Sequence, residues 1–333
     1  MATLGHFAYE ALSKYLRKIS KYEPGVIRDR DPEAIHQMRV GLRRLRTALE
    51  VFAPALTLPK GVTPKRVRDV AGCLSPVRDL DVMTAELKDH YYPHLPKAEQ
   101  QQLAKLIKKL DKQREEHLHK SLQLLRGDRY RKLQQGLQEW LAQPLYQPLA
   151  TMPVAAIAPD LLLPLIGQLL LHSGWQVEVA WQGEDYILPE KKNISPLLNH
   201  CGDLLHELRK QIKRVRYQME LFTPLYSPNY AEQVTEFSQL QDLLGNLHDG
   251  VVLNTFFMKQ LGLNLTKASP VLAQLIEQQQ TQQWQDWRGV QADYLHPSRR
   301  HQLRQLFLQD PEQIVVSTNG HATLEPTPQP INP

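Results

Sequence analysis

Apolar residues recur along most of the chain at the three- and four-residue spacing of amphipathic helices. Prolines separate many of these segments, as expected for turns between helices. The predicted helices cover residues 4–20, 32–53, 64–90, 96–126, 128–142, 160–172, 195–223, 228–260, 270–289 and 297–309. Residues 175–188 alternate enough to allow either a small β excursion or a loop. The pattern therefore predicts an all-α protein.

One helical segment occurs twice, separated by 170 residues without a gap. AIHQMRVGLRRLRTALEVF contains His36, and LLHELRKQIKRVRYQMELF contains His206 at the equivalent position. The same offset aligns Arg78 with His248 and the aspartate that follows each of them, at 79 and 249. A repeat at a fixed offset is typical of internal duplication. We therefore predict two halves that share one architecture.

The duplicated helices are predicted to carry one cationic face and one apolar face. The polar face holds His36, Arg39, Arg43 and Arg46 in the first copy and His206, Arg209, Lys213 and Arg216 in the second copy. Acidic residues are absent between 37 and 49 and between 208 and 219. Like charges at this spacing cost roughly 0.2–0.5 kcal/mol per pair. A solvated face is the ordinary interpretation of one such stripe, but two matching stripes favour an anionic partner.

Composition places few further limits on the fold. The chain has 333 residues and 42% hydrophobic residues, which is enough for a sizeable core. Its two cysteines, Cys73 and Cys201, have no CxxC spacing and favour a reducing compartment. The first twenty residues lack the apolar region of a secretory signal, and the apolar stretch 161–171 is short for a membrane span. We expect a cytoplasmic protein without a membrane partner.

Charge is unevenly distributed along the chain. The formal net charge is +5, which divides into +10 for residues 1–150 and −5 for residues 151–333. Such a concentrated positive potential attracts polyanions. Nucleic acid, polyphosphate and an acidic protein surface all fit this distribution.

Composition shifts suggest a division of the chain into four parts. Residues 1–143 form a first helical repeat, and residues 160–310 form a second repeat. Between them, residues 144–159 are rich in proline and nearly uncharged, which is typical of a linker. The proline-rich residues 311–333 are predicted to be a disordered tail.

The sequence HQMRVGLRRLR followed by RDLD, and HELRKQIKRVRY followed by HD, resembles the CHAD family of histidine-containing α-helical domains. The resemblance spans roughly residues 1–310. It implies two pseudo-symmetric antiparallel helical bundles whose basic helices line a central groove or pore. It also implies binding of inorganic polyphosphate without hydrolysis, and it requires no cofactor. Association with polyphosphate granules in the cytoplasm is an open alternative.

The resemblance assigns polyphosphate binding to the duplicated motif. The binding residues are expected to be His36, Arg39, Arg43, Arg44, Arg46, His206, Arg209, Lys213, Arg214 and Arg216. Secondary contacts are expected from Lys14, Arg17, Lys18, Lys21, Arg78 and His248. Phosphate should raise the pKa of the histidines, so mildly acidic pH should tighten binding.

Other functions stay open at this point. A metal-binding or phosphohydrolase site could form if His36 and His206 converged with Asp79 and Asp249. The sequence contains neither a glycine-rich phosphate loop nor HExxH, which disfavours the enzyme. Tyr217 is the single aromatic residue within either cationic stripe, which leaves little for base stacking by a nucleic acid. An acidic-protein binding module is the remaining alternative.

Overall fold

The computed structural model describes residues 2–183, 185–189, 194–261 and 264–308 and is predominantly helical, which confirms the all-α prediction. The helices are α1 (Leu4–Arg28), α2 (Pro32–Val51), α3 (Pro64–Ala85), α4 (Lys97–Leu125), α5 (Asp128–Ala142), α6 (Val154–Leu170), α7 (Ser195–Phe222), α8 (Pro228–Leu261), α9 (Leu265–Ala268), α10 (Pro270–Leu295) and α11 (Pro297–Gln305). A π-helical turn, Glu86–Tyr91, continues α3. Strands β1 (Ala180–Gln182) and β2 (Asp185–Ile187) form a small antiparallel hairpin in the segment predicted as strand or loop.

Local capping explains where the first three helices begin. The side chains of Thr3, Asp31 and Thr63 each accept a hydrogen bond from a backbone amide in the first turn of α1, α2 and α3. Such caps replace hydrogen bonds that the start of a helix cannot make internally. Helices α2 and α3 also have proline among their first residues, where its fixed φ angle suits a helix start.

Consecutive helices pack side by side, α1 on α2, α2 on α3, α3 on α4, and α7 on α8. Helix α2 also packs against α7, which brings the two copies of the repeated segment together. Phe52 and Phe222, equivalent at the 170-residue offset, meet edge to face with 5.8 Å between ring centroids. Both rings are fully buried in one hydrophobic core. The two halves therefore share a core along this contact.

A second cluster of buried side chains contains residues from both halves of the sequence. Leu106 of α4, Phe257 of α8 and Leu272 of α10 belong to it. Beside it, the buried carboxylate of Glu99 accepts hydrogen bonds of 3.1 Å from the backbone amides of Val271 and Leu272. Negative charge is favourable at a helix N-terminus, so Glu99 fixes the start of α10 against α4.

The segment predicted as a linker, 144–159, is partly helical, because α6 begins at Val154 and not at 160. The region Val154–Gln176 is long and apolar enough to cross a membrane by length and composition alone. In the fold, Leu162, Ile166 and Leu169 of this helix are buried in the main core. Its apolarity is therefore accounted for in part by core packing. The predicted tail, 311–333, lies outside the described residues.

Candidate anion-binding site

Helices α2 and α7 carry the two copies of the motif, and each is tied to the helix that follows it. Arg39 Nη1 donates to the carbonyl oxygen of Ala71 in α3 at 3.5 Å. At the same offset of 170, Arg209 Nε donates to the carbonyl oxygen of Gln241 in α8 at 3.0 Å. Each arginine therefore donates one hydrogen bond to the backbone of the neighbouring helix. This contact positions the guanidinium group against the neighbouring helix.

A cavity of about 640 Å³ lies where α2, α3 and α7 meet, and we call it the basic cavity. It is lined by Arg39, Arg43, Arg46, Thr47, Glu50, Pro64, Lys65, Arg68, Ala71, Gly72, Ser75, Lys210, Lys213, Arg214 and Tyr217. Eight of these residues are lysines or arginines, and Glu50 is the one carboxylate in this lining. The cavity is therefore strongly electropositive.

The inner part of the basic cavity is formed by half-buried cations. Burial lowers the pKa of Lys213 to about 7, and the nearby guanidinium groups of α2 and α7 lower it in the same direction. Burial also lowers the pKa of both Arg39 and Arg43. These shifts mean that positive charge is destabilised in the unliganded cavity. An anion entering the cavity would relieve that cost.

Five of the ten residues expected to bind polyphosphate line the basic cavity, namely Arg39, Arg43, Arg46, Lys213 and Arg214. Two others form ion pairs with one carboxylate beside it. Arg44 Nη2 lies 2.9 Å from Glu220 Oε2, and Arg216 Nη1 donates to Glu220 Oε1 at 2.6 Å. Helix spacing alone could not show that Glu220 would hold these two arginines. Arg209 packs against Gly245 of α8, where an added Cβ would come within 3 Å of its guanidinium group.

His36 lies on the cationic face of α2 but outside the lining of the basic cavity. Burial lowers its pKa, and the positive charge of Arg78 acts in the same direction. The expected secondary residue Arg78 is thus close enough to influence His36. Without a bound anion, His36 is predominantly uncharged at neutral pH.

His206 lies beside His248, with 4.4 Å between the centroids of their rings. Burial lowers the pKa of His206, and His248 contributes to the lowering. The structure therefore brings together a predicted primary residue and a predicted secondary residue. Neither histidine lines the basic cavity.

The secondary residues of α1 do not line the basic cavity. Lys14, Arg17 and Lys21 are exposed. Lys18 is half-buried, and burial and the charge of Arg44 lower its pKa. These four side chains form a cationic face on α1 that does not line the cavity.

Sequence reasoning missed three cations of the cavity, Lys65, Arg68 and Lys210. Lys65 and Arg68 stand three residues apart in the first turns of α3, and Gly72 continues the same face. This spacing could have been recognised in the sequence, because it places two cations and a residue without a side chain on one face of α3. Lys210 precedes Lys213 by one helical turn and is paired with Glu207.

The residues proposed for a metal site do not gather in the described part of the chain. No group of three or more His, Cys, Asp or Glu side chains there could hold a metal ion. Asp79 is largely exposed, with Oδ1 4.0 Å from Arg39 Nη2. The side chain of Asp249 lies outside the described residues. Asp79 therefore faces an arginine of the cationic face.

Most of the chain is similar to known proteins. The family model of the CHAD domain matches residues 10–257. The fold is similar to the crystal structure of the CHAD domain from the plant Ricinus communis, with a TM-score of 0.58, 24% identity and 92% of each chain covered. It is also similar to PptA from Streptomyces chartreusis, with a TM-score of 0.55, 15% identity and coverage of 86% of this chain and 100% of that chain. The search of curated proteins gave no match.

Proposed function

The chain belongs to the CHAD domain family, and from this premise we propose that it binds inorganic polyphosphate in the basic cavity without hydrolysing it. The family is generally linked to polyphosphate binding. The observation that carries the proposal is the lining of the cavity, where eight cationic side chains stand with one carboxylate. We also propose that this cavity is the groove between the two duplicated halves.

The arrangement suits a chain of phosphates better than a single compact anion. Arg39, Arg43 and Lys213 supply half-buried charge in the interior, and exposed Lys65 and Arg68 extend it to the rim. The planar guanidinium group suits bidentate contacts with phosphate oxygens. Polyphosphate presents such oxygens at every unit and has no base to recognise. Cations spaced over three helices are therefore sufficient for binding.

Tyr217 favours polyphosphate over a nucleic acid as the ligand. Its ring is buried and lies under two guanidinium groups, 5.2 Å from that of Arg43 and 4.4 Å from that of Arg216. A tyrosine held in this way cannot offer its face to a base. Sequence-tolerant binding of single-stranded nucleic acids relies on free aromatic faces.

The chemistry of the lining favours binding over turnover. Phosphate transfer to water needs a group that orients or deprotonates the water, or a metal ion held by carboxylates and imidazoles. Glu50 is the one carboxylate in the described lining, and it is already 3.5 Å from Arg46. His36 and His206 lie outside that lining. These features support a binder.

The test is calorimetric titration of the metal-stripped protein with long-chain polyphosphate at two salt concentrations, with phosphate release measured in the same samples. We expect binding that weakens steeply as salt increases, because bound cations displace counterions from the polyanion. No phosphate should be released. Competition with RNA of equal phosphate content should displace little polyphosphate.

Two results would contradict the proposal in different ways. Phosphate release that increases with protein concentration would show turnover. If titration at low salt released or absorbed no heat, and the protein did not co-sediment with polyphosphate, polyphosphate would be ruled out as the ligand. Equal competition by RNA would instead favour a nucleic-acid binder.

A further inference from the structure

Lys213 differs from the other lysines of the basic cavity in its surroundings. It is half-buried, whereas Lys65 and Lys210 are exposed. Lys210 is paired with Glu207. Among the described residues, Lys213 has no carboxylate partner, and the charges that act on it most strongly belong to Arg43, Arg209, Arg39 and Arg216. Burial and these charges lower the pKa of Lys213 to about 7, so about half of its amine is uncharged at neutral pH.

We propose that Lys213 is a site of acylation by acyl phosphates, which enter the basic cavity as anions and transfer their acyl group to its amine. The cavity volume of about 640 Å³ admits a small acyl phosphate. Arg39 and Arg43 line the same cavity and can bind the phosphoryl group beside the amine. This inference rests on the cavity, and its consequence for binding rests on the proposed function.

The reaction balances without a further reactant. The uncharged Lys213 nitrogen attacks the carbonyl carbon of the acyl phosphate, and a nitrogen–carbon bond forms. The bond from that carbon to the phosphate oxygen breaks, and inorganic phosphate leaves with the bonding electron pair. The nitrogen loses a proton to solvent or to the departing phosphate. Guanidinium groups stabilise the negative charge that develops on the leaving oxygen.

Acylation would change the binding properties of the cavity. The amide product is neutral and cannot regain a proton, so one interior cation is permanently lost. Its acyl group also occupies volume beside Arg43. The modified protein should therefore bind polyphosphate more weakly, and bound polyphosphate should protect Lys213 from acylation.

The test uses the full chain with acetyl phosphate at pH 7.5 and follows acetylation of each lysine by mass spectrometry. Exposed Lys14 and Lys21 are internal references outside the cavity. We expect Lys213 to react at least about tenfold faster than either, because an ordinary lysine with a pKa near 10.4 is almost fully protonated at this pH. A parallel reaction with a neutral acetylating ester should show a smaller preference for Lys213.

The comparison between lysines and the comparison between reagents each have an outcome that would overturn the proposal. Acetylation of Lys213 no faster than that of Lys14 would show that its amine is not activated. The same preference with both reagents would show that the cavity does not recruit acyl phosphates. Neither result depends on polyphosphate, so failure of the proposed function is measured separately.

Two variants connect acylation to binding. Lys213→Arg removes the nucleophile, so treatment with acetyl phosphate should leave the polyphosphate affinity of this variant, whatever its value, unchanged. Lys213→Gln resembles the acylated state and should bind as weakly as the acetylated protein. Unchanged affinity after stoichiometric acetylation of Lys213 would overturn the proposed consequence.

Discussion

Arg44 of α2 and Glu220 of α7 form an ion pair between the two halves of the chain, with 2.9 Å between Nη2 and Oε2. Glu220 also accepts a hydrogen bond from Arg216 in the preceding turn of its own helix. The equivalent carboxylate in the first half, Glu50, lies instead on the lining of the basic cavity, 3.5 Å from Arg46. One repeated glutamate thus joins the halves, and the other borders the proposed binding site.

Glu220→Gln should destabilise the protein by about 1–3 kcal/mol, because two partly buried guanidinium groups lose their carboxylate partner. The matched variant is Glu50→Gln, since Glu50 is more exposed and should cost less than about 1 kcal/mol. Unfolding in urea measures both changes. Equal losses in the two variants would show that the pair between α2 and α7 has no special role.

Arg43→Gln combined with Arg68→Gln should weaken polyphosphate binding at least about tenfold, since each lost cation removes a charge-assisted contact. The slope of log affinity against log salt should become shallower by about two. Arg17→Gln combined with Lys21→Gln removes the same charge from the exposed face of α1 and is the control. If the control loses as much affinity as the cavity variant, binding follows total charge and the cavity is not the site.

Polyphosphate binding should be linked to proton uptake by Lys213. The pKa of this amine is about 7 in the free protein, and a bound polyanion raises it. Between these two pKa values the complex holds a proton that the free protein lacks, so affinity should fall as pH increases above 7. Calorimetry at pH 8.5 in buffers of different ionisation enthalpy measures the uptake.

The Lys213→Arg variant distinguishes proton uptake by Lys213 from proton uptake by other groups, because the arginine side chain stays protonated at pH 8.5. It should show less proton uptake than the unmodified protein. The pKa values of His36 and His206 are lowered in the free protein, so their uptake is centred at more acidic pH. Equal uptake in the variant and the unmodified protein would refute the role of Lys213.

Gly72→Asp should reduce polyphosphate affinity without unfolding the protein. A Cβ at Gly72 meets open space, and this position lines the basic cavity, so the new carboxylate would oppose the cations there. The second half already carries an aspartate, Asp242, at the equivalent position. Gly72→Ala is the control and should bind normally, with both variants measured by the same titration. Normal binding by Gly72→Asp would place the polyanion away from α3.

The sequence alone indicated most of the helices and the faces they carry, although α1 continues through Pro24 to Arg28, beyond the predicted end at residue 20. Hydrophobic spacing located the principal helices, because burial of an apolar stripe requires that period. It also showed the repeat that relates Arg39 to Arg209 and Arg43 to Lys213. The six residues of β1 and β2 carry too little alternation to distinguish a strand from a loop by sequence.

Tertiary structure decided which cations converge. A helical face shows that Arg43 and Arg44 are both polar, but not which neighbouring helix each will meet. Packing of α7 on α2 placed Glu220 against Arg44, and packing of α3 on α2 brought Arg68 to the cavity. These outcomes depend on contacts between residues far apart in the chain. Helical periodicity describes one helix at a time, so the membership of the basic cavity followed only from the fold.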